Sequence, residues 1–209
     1  MKKLGASAAL AIAVALPLTA QAAGSNFSYT QLSGAFVATW LDDDIVLPVG
    51  NGWYELHDSM GGLGLSGSYQ FTDNLFVALS GTYRASRGDT EINVTDVGLS
   101  LGYALPAGER TDLVFQGGVV NTEVEVCTWV CGKVDDNGML LGMGVRHWVN
   151  AAFELNGGVT HVNYDDFDSN TALNVGFAYW SSPAFSMVTG LIADDDSTSL
   201  TVGFRYTFN

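Results

Sequence analysis

The chain has 209 residues, room for one domain of ordinary size, and sets 22 Asp and Glu against 8 Lys and Arg, a formal net charge of −14. That balance excludes a nucleic-acid binder, because phosphate backbones need basic patches and none is present. Yet 47% of the residues are hydrophobic, mean hydropathy is +0.20, and glycines (25) far outnumber prolines (4), a mixture foreign to a soluble acidic domain and expected where apolar side chains face lipid and charge is confined to loops.

The first element is not part of the fold. Lys2 and Lys3 precede a short apolar run, ALAIAVALPLTA (9–20), and Ala20-Gln21-Ala22 supplies the small residues of a cleavage site. Residues 1–22 read as a secretory signal peptide and 23–209 as the mature domain. A membrane anchor would need about 17 to 25 apolar residues, and neither this run nor any later one reaches that length.

The rest of the chain reads as strands. Leu63-Gly-Leu65, Leu99-Ser-Leu101, Leu141-Gly-Met143, Leu173-Asn-Val175 and Leu200-Thr-Val202 open five related stretches of alternating large and small residues. Each internal copy is followed by a short turn-like segment (71–74, 106–112, 149–152, 181–184) and then by a second alternating run. Each pair is a hairpin, and longer acidic segments join one hairpin to the next. The count predicts ten strands, near 26–40, 61–70, 75–86, 92–105, 112–126, 137–149, 153–164, 171–180, 185–193 and 199–208. Alternating segments of about ten residues, tight turns on one side and long loops on the other, mark an all-β, closed, antiparallel up-and-down transmembrane barrel. The minor face carries Gly62, Gly64, Ser66, Gly98, Ser100, Gly102, Asn174 and Gly176, as a lumen tolerates. Aromatic residues crowd the turn ends: Tyr69, Phe71, Tyr103, Phe153, Tyr179, Trp180, Phe185, Tyr206 and Phe208. Closure also removes the open edges that lipid forbids.

Two strands shift parity after paired glycines, Gly117-Gly118 and Gly157-Gly158. A β-bulge at each pair would restore the outward face and turn Glu123 and Glu125 inward. Alternatively, these upper ends rise above the hydrocarbon, where parity is free. With the bulges, the expected lumen charges are Arg84, Asp96, Glu123, Glu125, Arg146, Glu154 and Arg205, which must pair with one another or meet water. Between the fifth and sixth strands, Cys127 and Cys131 are expected to form a disulfide in an exported chain; a metal site is the alternative, but two thiolates without a nearby His make half of one at best.

The last strand, SLTVGFRYTF, brings the comparison to a head. With the signal peptide and the up-down hairpins, it resembles small bacterial outer-membrane β-barrels of the OmpA/OmpX type. FSYTQLSGAF (27–36) and GLGLSGSYQFTDNLFV (62–77) likewise resemble the start of small barrel proteins from Gram-negative bacteria. The resemblance implies residence in the outer membrane, contact with lipid and lipopolysaccharide, and both termini in the periplasm. It also implies an assembly signal read by the outer-membrane assembly machinery, carried here by Val202, Phe204, Tyr206 and Phe208. Family members usually end on the aromatic residue, whereas Asn209 follows it here. Eight strands, their usual number, is the alternative to ten.

The resemblance names no activity. Three candidate chemistries remain in the residues. The acidic loops place Asp42, Asp43, Asp44, Asp165, Asp166, Asp168, Asp194, Asp195 and Asp196 on one rim with Asp135-Asp136, and clustered carboxylates bind Ca2+ or Mg2+; no other cofactor is implied. The inward glycines and serines of a ten-stranded barrel leave unfilled width, consistent with a narrow pore for small solutes. Barrel enzymes acting on lipid A or on peptides use His with Ser or Asp; here His57-Asp58-Ser59 and His161 near Asp165 are the candidates, and adjacency on a loop does not make a site. The leading expectation is a structural or surface-interaction protein and not an enzyme.

Overall fold

The computed structural model describes residues 27–50 and 53–208; residues 1–22, read from sequence as a signal peptide, lie outside them. Ten strands run β1 (Gln31–Gly50), β2 (Trp53–Gln70), β3 (Leu75–Ser86), β4 (Glu91–Pro106), β5 (Thr111–Cys127), β6 (Cys131–Asn150), β7 (Phe153–Tyr164), β8 (Asn170–Trp180), β9 (Phe185–Ala193) and β10 (Ser197–Thr207). Each pairs antiparallel with its sequence neighbours, and β1 pairs with β10, so the sheet closes. The closing register sets Phe36 opposite Val202 and Ser33 opposite Arg205. Ten strands replace the alternative of eight. Among the described residues no helix is long and apolar enough to cross a membrane; strands make the crossing.

Alternation decides which side faces what. On β4, Asp96, Gly98, Ser100, Gly102 and Ala104 are buried in the lumen, while Val97, Leu99, Leu101, Tyr103 and Leu105 are exposed outside. The same outer face is apolar on β6 (Met139, Leu141, Met143, Val145), β8 (Leu173, Val175, Phe177, Tyr179) and β10 (Val202, Phe204, Tyr206). From Val97 to Leu105 the strand takes eight steps of about 3.4 Å, which at a tilt near 40° is roughly 21 Å of height, close to the ~25 Å apolar band of membrane barrels. A continuous exposed apolar girdle of that height has no place in water.

The short turns close the end that also holds both described termini. Thr72 Oγ1 accepts the N–H groups of Asn74 and Leu75, and Asn150 Oδ1 those of Ala152 and Phe153. Gly108 sits at φ +118°, a conformation that a Cβ would strain. Phe208 N–H donates to Thr30 at the same end. In barrels of this class that end is periplasmic.

At the opposite end the hairpins are longer than the sequence reading allowed. Residues 41–50 and 53–60, read as part of a loop, continue β1 and β2 as a two-stranded ribbon: Ile45 pairs with His57 and Leu47 with Glu55. Above Leu41 the ribbon has no ladder with β10, and above Gly61 none with β3. Four residues, Leu41 to Asp44, stand opposite the single Asp58, so the aspartate triplet is carried on a bulge. The cysteine segment also belongs to strands; β5 and β6 pair up to Cys127 and Cys131, whose disulfide closes the hairpin tip.

The expected bulges at Gly117-Gly118 and Gly157-Gly158 are absent. Registers β4–β5, β5–β6 and β7–β8 run through both pairs without a shift. Parity therefore puts Val120, Thr122 and Val124 inward, and Glu123 and Glu125 outward. This corrects their placement in the lumen. The physical reason is height: above Val119 the outer face reads Asn121, Glu123, Glu125, which is wet surface and not lipid. Glu123 pairs there with Lys133. Trp180, expected in the outer aromatic ring, is also corrected; it is buried inside.

Candidate functional site

The lumen has three storeys. Its periplasmic floor is built from residues whose inward parity is fixed by β6, β7, β8 and β10. The Glu154 carboxylate accepts from Arg146, from Arg205 Nη1 at 3.1 Å and from the indole Nε1 of Trp180 at 3.0 Å. All three charged residues are essentially fully buried. Asp112 lies opposite Arg146 in the β5–β6 register and is equally buried, so the floor holds two guanidinium groups against two carboxylates. The chain ahead of β1 completes it. Phe27 reaches across the barrel to stack on Trp148, ring centroids 5.1 Å apart, and the Arg146 guanidinium lies 4.7 Å from the centroid of the Phe27 ring. Trp148 in turn meets Trp180. Tyr29 stacks on Phe76 at 4.2 Å. Phe76 finds room because residue 102 is glycine; a Cβ there would overlap the Phe76 ring.

The middle storey is a cavity of ≈100 Å3. Hydroxyl and amide groups reach it from six strands, through Ser66, Ser80, Gln116, Asn156, Asn174 and Thr201, between glycines that expose only backbone. On β3–β5 lies the second ion pair: Arg84 Nη2 donates to Asp96 at 2.7 Å, and Thr122 donates to the other carboxylate oxygen at 2.9 Å and meets Tyr164 at 3.2 Å.

The crown is apolar inside and acidic outside, the reverse of the girdle below. Met60, Ile92, Val94 and Val124 pack together with Leu41, Ile45, Leu47 and Val126. Val120, Leu140, Val162, Tyr164 and Phe167 form a second cluster. Ile45 and Leu47 belong to the ribbon, so the ribbon folds inward over the mouth. A polar latch holds it. Glu55 accepts the backbone N–H of Thr90 at 2.6 Å and of Asp89 at 3.0 Å, and its Oε2 lies 3.6 Å from His57 Nε2. Those hydrogen bonds, led by Thr90, hold the Glu55 carboxyl below its ordinary range. Buried His57 meets Ser86 Oγ through Nδ1 at 2.8 Å.

Of the 22 acidic side chains, all except Asp73, Asp96, Glu109, Asp112 and Glu154 stand at or above the outer edge of the girdle. Among the described residues the cations there are Arg87 and Lys133. Asp42, Asp43, Asp168 and Asp195 act on Asp196, which burial and then their charges raise above the usual carboxylate range. Burial raises Asp194 as well. Asp136 behaves oppositely: burial pushes it up, but backbone N–H groups of Phe167, Asp166 and Asn137 win and hold it low, which ties the β7–β8 loop to β6. Among the described residues, the one group of three potential metal ligands within mutual reach is Glu125, Cys127 and Cys131, and both sulfurs are spent in the disulfide. Asp165 and Asp166 lie in the loop that Asp136 holds, and Asp44 on the ribbon bulge.

The histidines do not converge. His57 faces the crown interior, His161 pairs with Thr171 on the outer face, and His147 pairs with Thr111 on the outer face at the periplasmic end. Asp58 and Ser59 are exposed and bond each other. Sequence reasoning missed Phe27, Tyr29, Trp148 and Trp180 as floor residues; their shared inward parity was the available signal.

Residues 6–180 match the family model described as "Outer membrane protein beta-barrel domain". The chain belongs to that family and is an outer-membrane β-barrel. Several solved barrels share the shape at low identity. Ail, the attachment invasion locus protein of Yersinia pestis, is 13% identical over 87% of this chain and 100% of its own, with a TM-score of 0.46. Neisserial surface protein A is 12% identical over 87% and 98%, TM-score 0.47. The outer membrane protein OprG of Pseudomonas aeruginosa is 18% identical over 86% and 96%, TM-score 0.43. No curated protein sequence matches.

Proposed function

We propose that the protein is a non-conducting outer-membrane barrel whose acidic crown is a surface-interaction element. The observation that carries this reading is the floor. A pore needs a continuous wet path, and here Phe27, Trp148 and Trp180 cross the lumen beside an ion network with no exposed member. What the fold leaves available to the outside is the crown, a rim of carboxylates on long paired hairpins and a disulfide-closed tip bearing the exposed Trp129. Such a rim repels polyanions and attracts cations. Ca2+ or Mg2+ held loosely among Asp42, Asp43, Asp168, Asp195 and Asp196 would bridge it to the anionic headgroups of lipopolysaccharide. The alternating Val202, Phe204, Tyr206 and Phe208 on the lipid face of β10 serve as the assembly signal.

Two measurements test the reading. The purified, refolded barrel in planar bilayers is expected to be silent; steady single-channel currents would favour the narrow-pore reading, for which the middle cavity speaks. Cells displaying the protein are expected to bind surfaces or matrix in a manner lost when residues 42–58 are shortened to a tight turn. Binding unchanged by that deletion would remove the crown from the function. The enzyme reading draws little support from the geometry, since His57 serves the latch and His161 stands apart on the outer face.

A further inference from the structure

We propose that the middle storey of the lumen is a binding site for a small uncharged solute bearing hydroxyl or amide groups, reached from outside beneath the β1–β2 ribbon. Size comes first. A cavity of 150 Å3 holds the six heavy atoms of benzene, so the ≈100 Å3 here suits a solute of about four heavy atoms. Chemistry comes second. Ser66 on β2, Gln116 on β5, Asn174 on β8 and Thr201 on β10 present donors and acceptors from walls on different sides of the ring, and the glycines between them present carbon. Such a lining accommodates a carbon skeleton studded with polar groups.

Ser33 and Arg205 also line the cavity, on side chains more than nine-tenths buried, with Ser33 Oγ and Arg205 Nε, unpartnered among the described residues, occluded behind its surface. Charge comes third, and it argues for neutrality. Arg205 Nη1 is committed to Glu154, and the floor as a whole balances two guanidinium groups with two carboxylates. An anion would find no net positive charge to offset its desolvation.

The route follows from what can move. The floor is locked by stacked rings and buried ion pairs. Above Leu41 and Gly61 the ribbon has ladder partners only within itself, and it is held to the rest of the barrel by Ile45, Leu47, the half-buried Glu55 latch, the His57–Ser86 hydrogen bond and the Asp42 N–H donating to Asp196. Segments with few ladder bonds open first. The proposal rests on the closed floor and not on the role of the rim.

The test uses the full chain refolded into detergent with its disulfide intact, carrying Ser66→Cys, and follows labelling by neutral hydroxyethyl methanethiosulfonate. Adding Glu55→Ala is expected to speed labelling about tenfold, since two charge-assisted hydrogen bonds leave the latch. Ethylene glycol near or above its dissociation constant is expected to slow labelling about twofold or more, while acetate of equal size does not. Asp58→Cys, outside the cavity, is labelled at the same rate with or without ethylene glycol. Asn174→Cys repeats the measurement from the opposite wall if Ser66→Cys misfolds. Equal labelling with and without ethylene glycol overturns the site; labelling indifferent to Glu55→Ala overturns the route. Channel activity in the same preparation would sink the closed floor separately, whatever the protection result.

Discussion

Glu154 is the residue on which the floor depends, and Glu154→Gln tests whether it is sealed. The carboxylate takes hydrogen bonds from Arg146, Arg205 and Trp180. The amide keeps the shape and one acceptor, enough for the indole, but presents an NH2 toward guanidinium groups that are themselves donors only. Two buried cations then share Asp112 as their remaining counter-charge. Removing one partner from a buried ion pair costs about 3–5 kcal/mol, because the other is left desolvated. That range is expected for Glu154→Gln. The assay is urea unfolding of the barrel in lipid vesicles, followed by the mobility difference between boiled and unboiled samples and by tryptophan emission, with stability taken from linear extrapolation. A cycle with Arg205→Met separates the pair from its surroundings; the double variant should recover much of the loss, because methionine removes the stranded charge and keeps the volume. A loss under about 1 kcal/mol, the size typical of exposed pairs, would show that water reaches the floor. The closed-lumen argument would then fail.

Leu101→Lys places a charge on the lipid face near mid-height and is expected to cost about 2–4 kcal/mol in the same assay, against about 0–1 kcal/mol for Thr95→Lys above the girdle. Equal costs would mean the girdle has been drawn at the wrong height. Gly88→Ala puts a Cβ onto Glu55 Oε1; it is expected to raise hydrogen exchange in residues 45–58 while leaving that of β4 and β8 unchanged. The crown should respond to acid in two steps. Asp194 and Asp196 have folded pKa values above their unfolded ones, so their ionised forms weaken the rim near neutrality, and that penalty fades as pH falls through the raised values. Glu55 and Asp136 are lowered, so their contribution persists through that window and is lost only as pH falls further, through their folded values. Exchange of the Asp194–Ser197 turn should therefore slow on mild acidification before the ribbon and the β7–β8 loop loosen at lower pH. Monotonic loosening of both regions would contradict the signs.

Strand number, closure and the facing of β3, β4, β8 and β10 were readable because one rule applies along their membrane-spanning middles: large apolar residues toward lipid, mostly small or polar ones inside. Leu99, Leu101 and Tyr103 could not have been anything but outward. β5 obeyed the rule only to Val119. Above it, Val120, Val124 and Val126 look outward if lipid is assumed, and the bulge was a device to keep that assumption. The assumption failed because the strand had left the membrane, where Glu123 and Glu125 are comfortable outside and valines are buried within. The ribbon was unreadable for a related reason. Ile45 and Leu47 are isolated between Asp44 and Pro48 in sequence, and what makes them strand is contact with Ile92 and Val124, far along the chain. Tertiary burial overrode a local composition that says loop. The floor was half readable: Arg146, Glu154 and Arg205 have inward parity, but nothing local says that the three meet, or that Phe27 crosses to Trp148.

The polarity inversion between girdle and crown explains how the barrel is hollow in the middle and closed at its ends. Within the girdle the hydrophobic requirement is met by lipid, so the lumen is under no pressure to be apolar and can be lined by glycine, serine and asparagine. Above the girdle no lipid is available. The same ten-stranded wall then needs an apolar interior of its own to repay the ordering of long hairpins, as any water-soluble sheet does. Valine, isoleucine and methionine therefore turn inward at the height where carboxylates turn outward, and the mouth fills as a consequence of stabilising the hairpins. At the periplasmic end the strands stop at short turns and there is no height to build such a core, so closure falls to aromatic rings and a buried ion network instead. The two seals differ in kind. The β1–β2 ribbon, held by apolar contacts, the half-buried Glu55 latch and a few single hydrogen bonds, can lift from the mouth, whereas opening the floor requires stranding charge. Access to the cavity, on this physical ground, is from the outside.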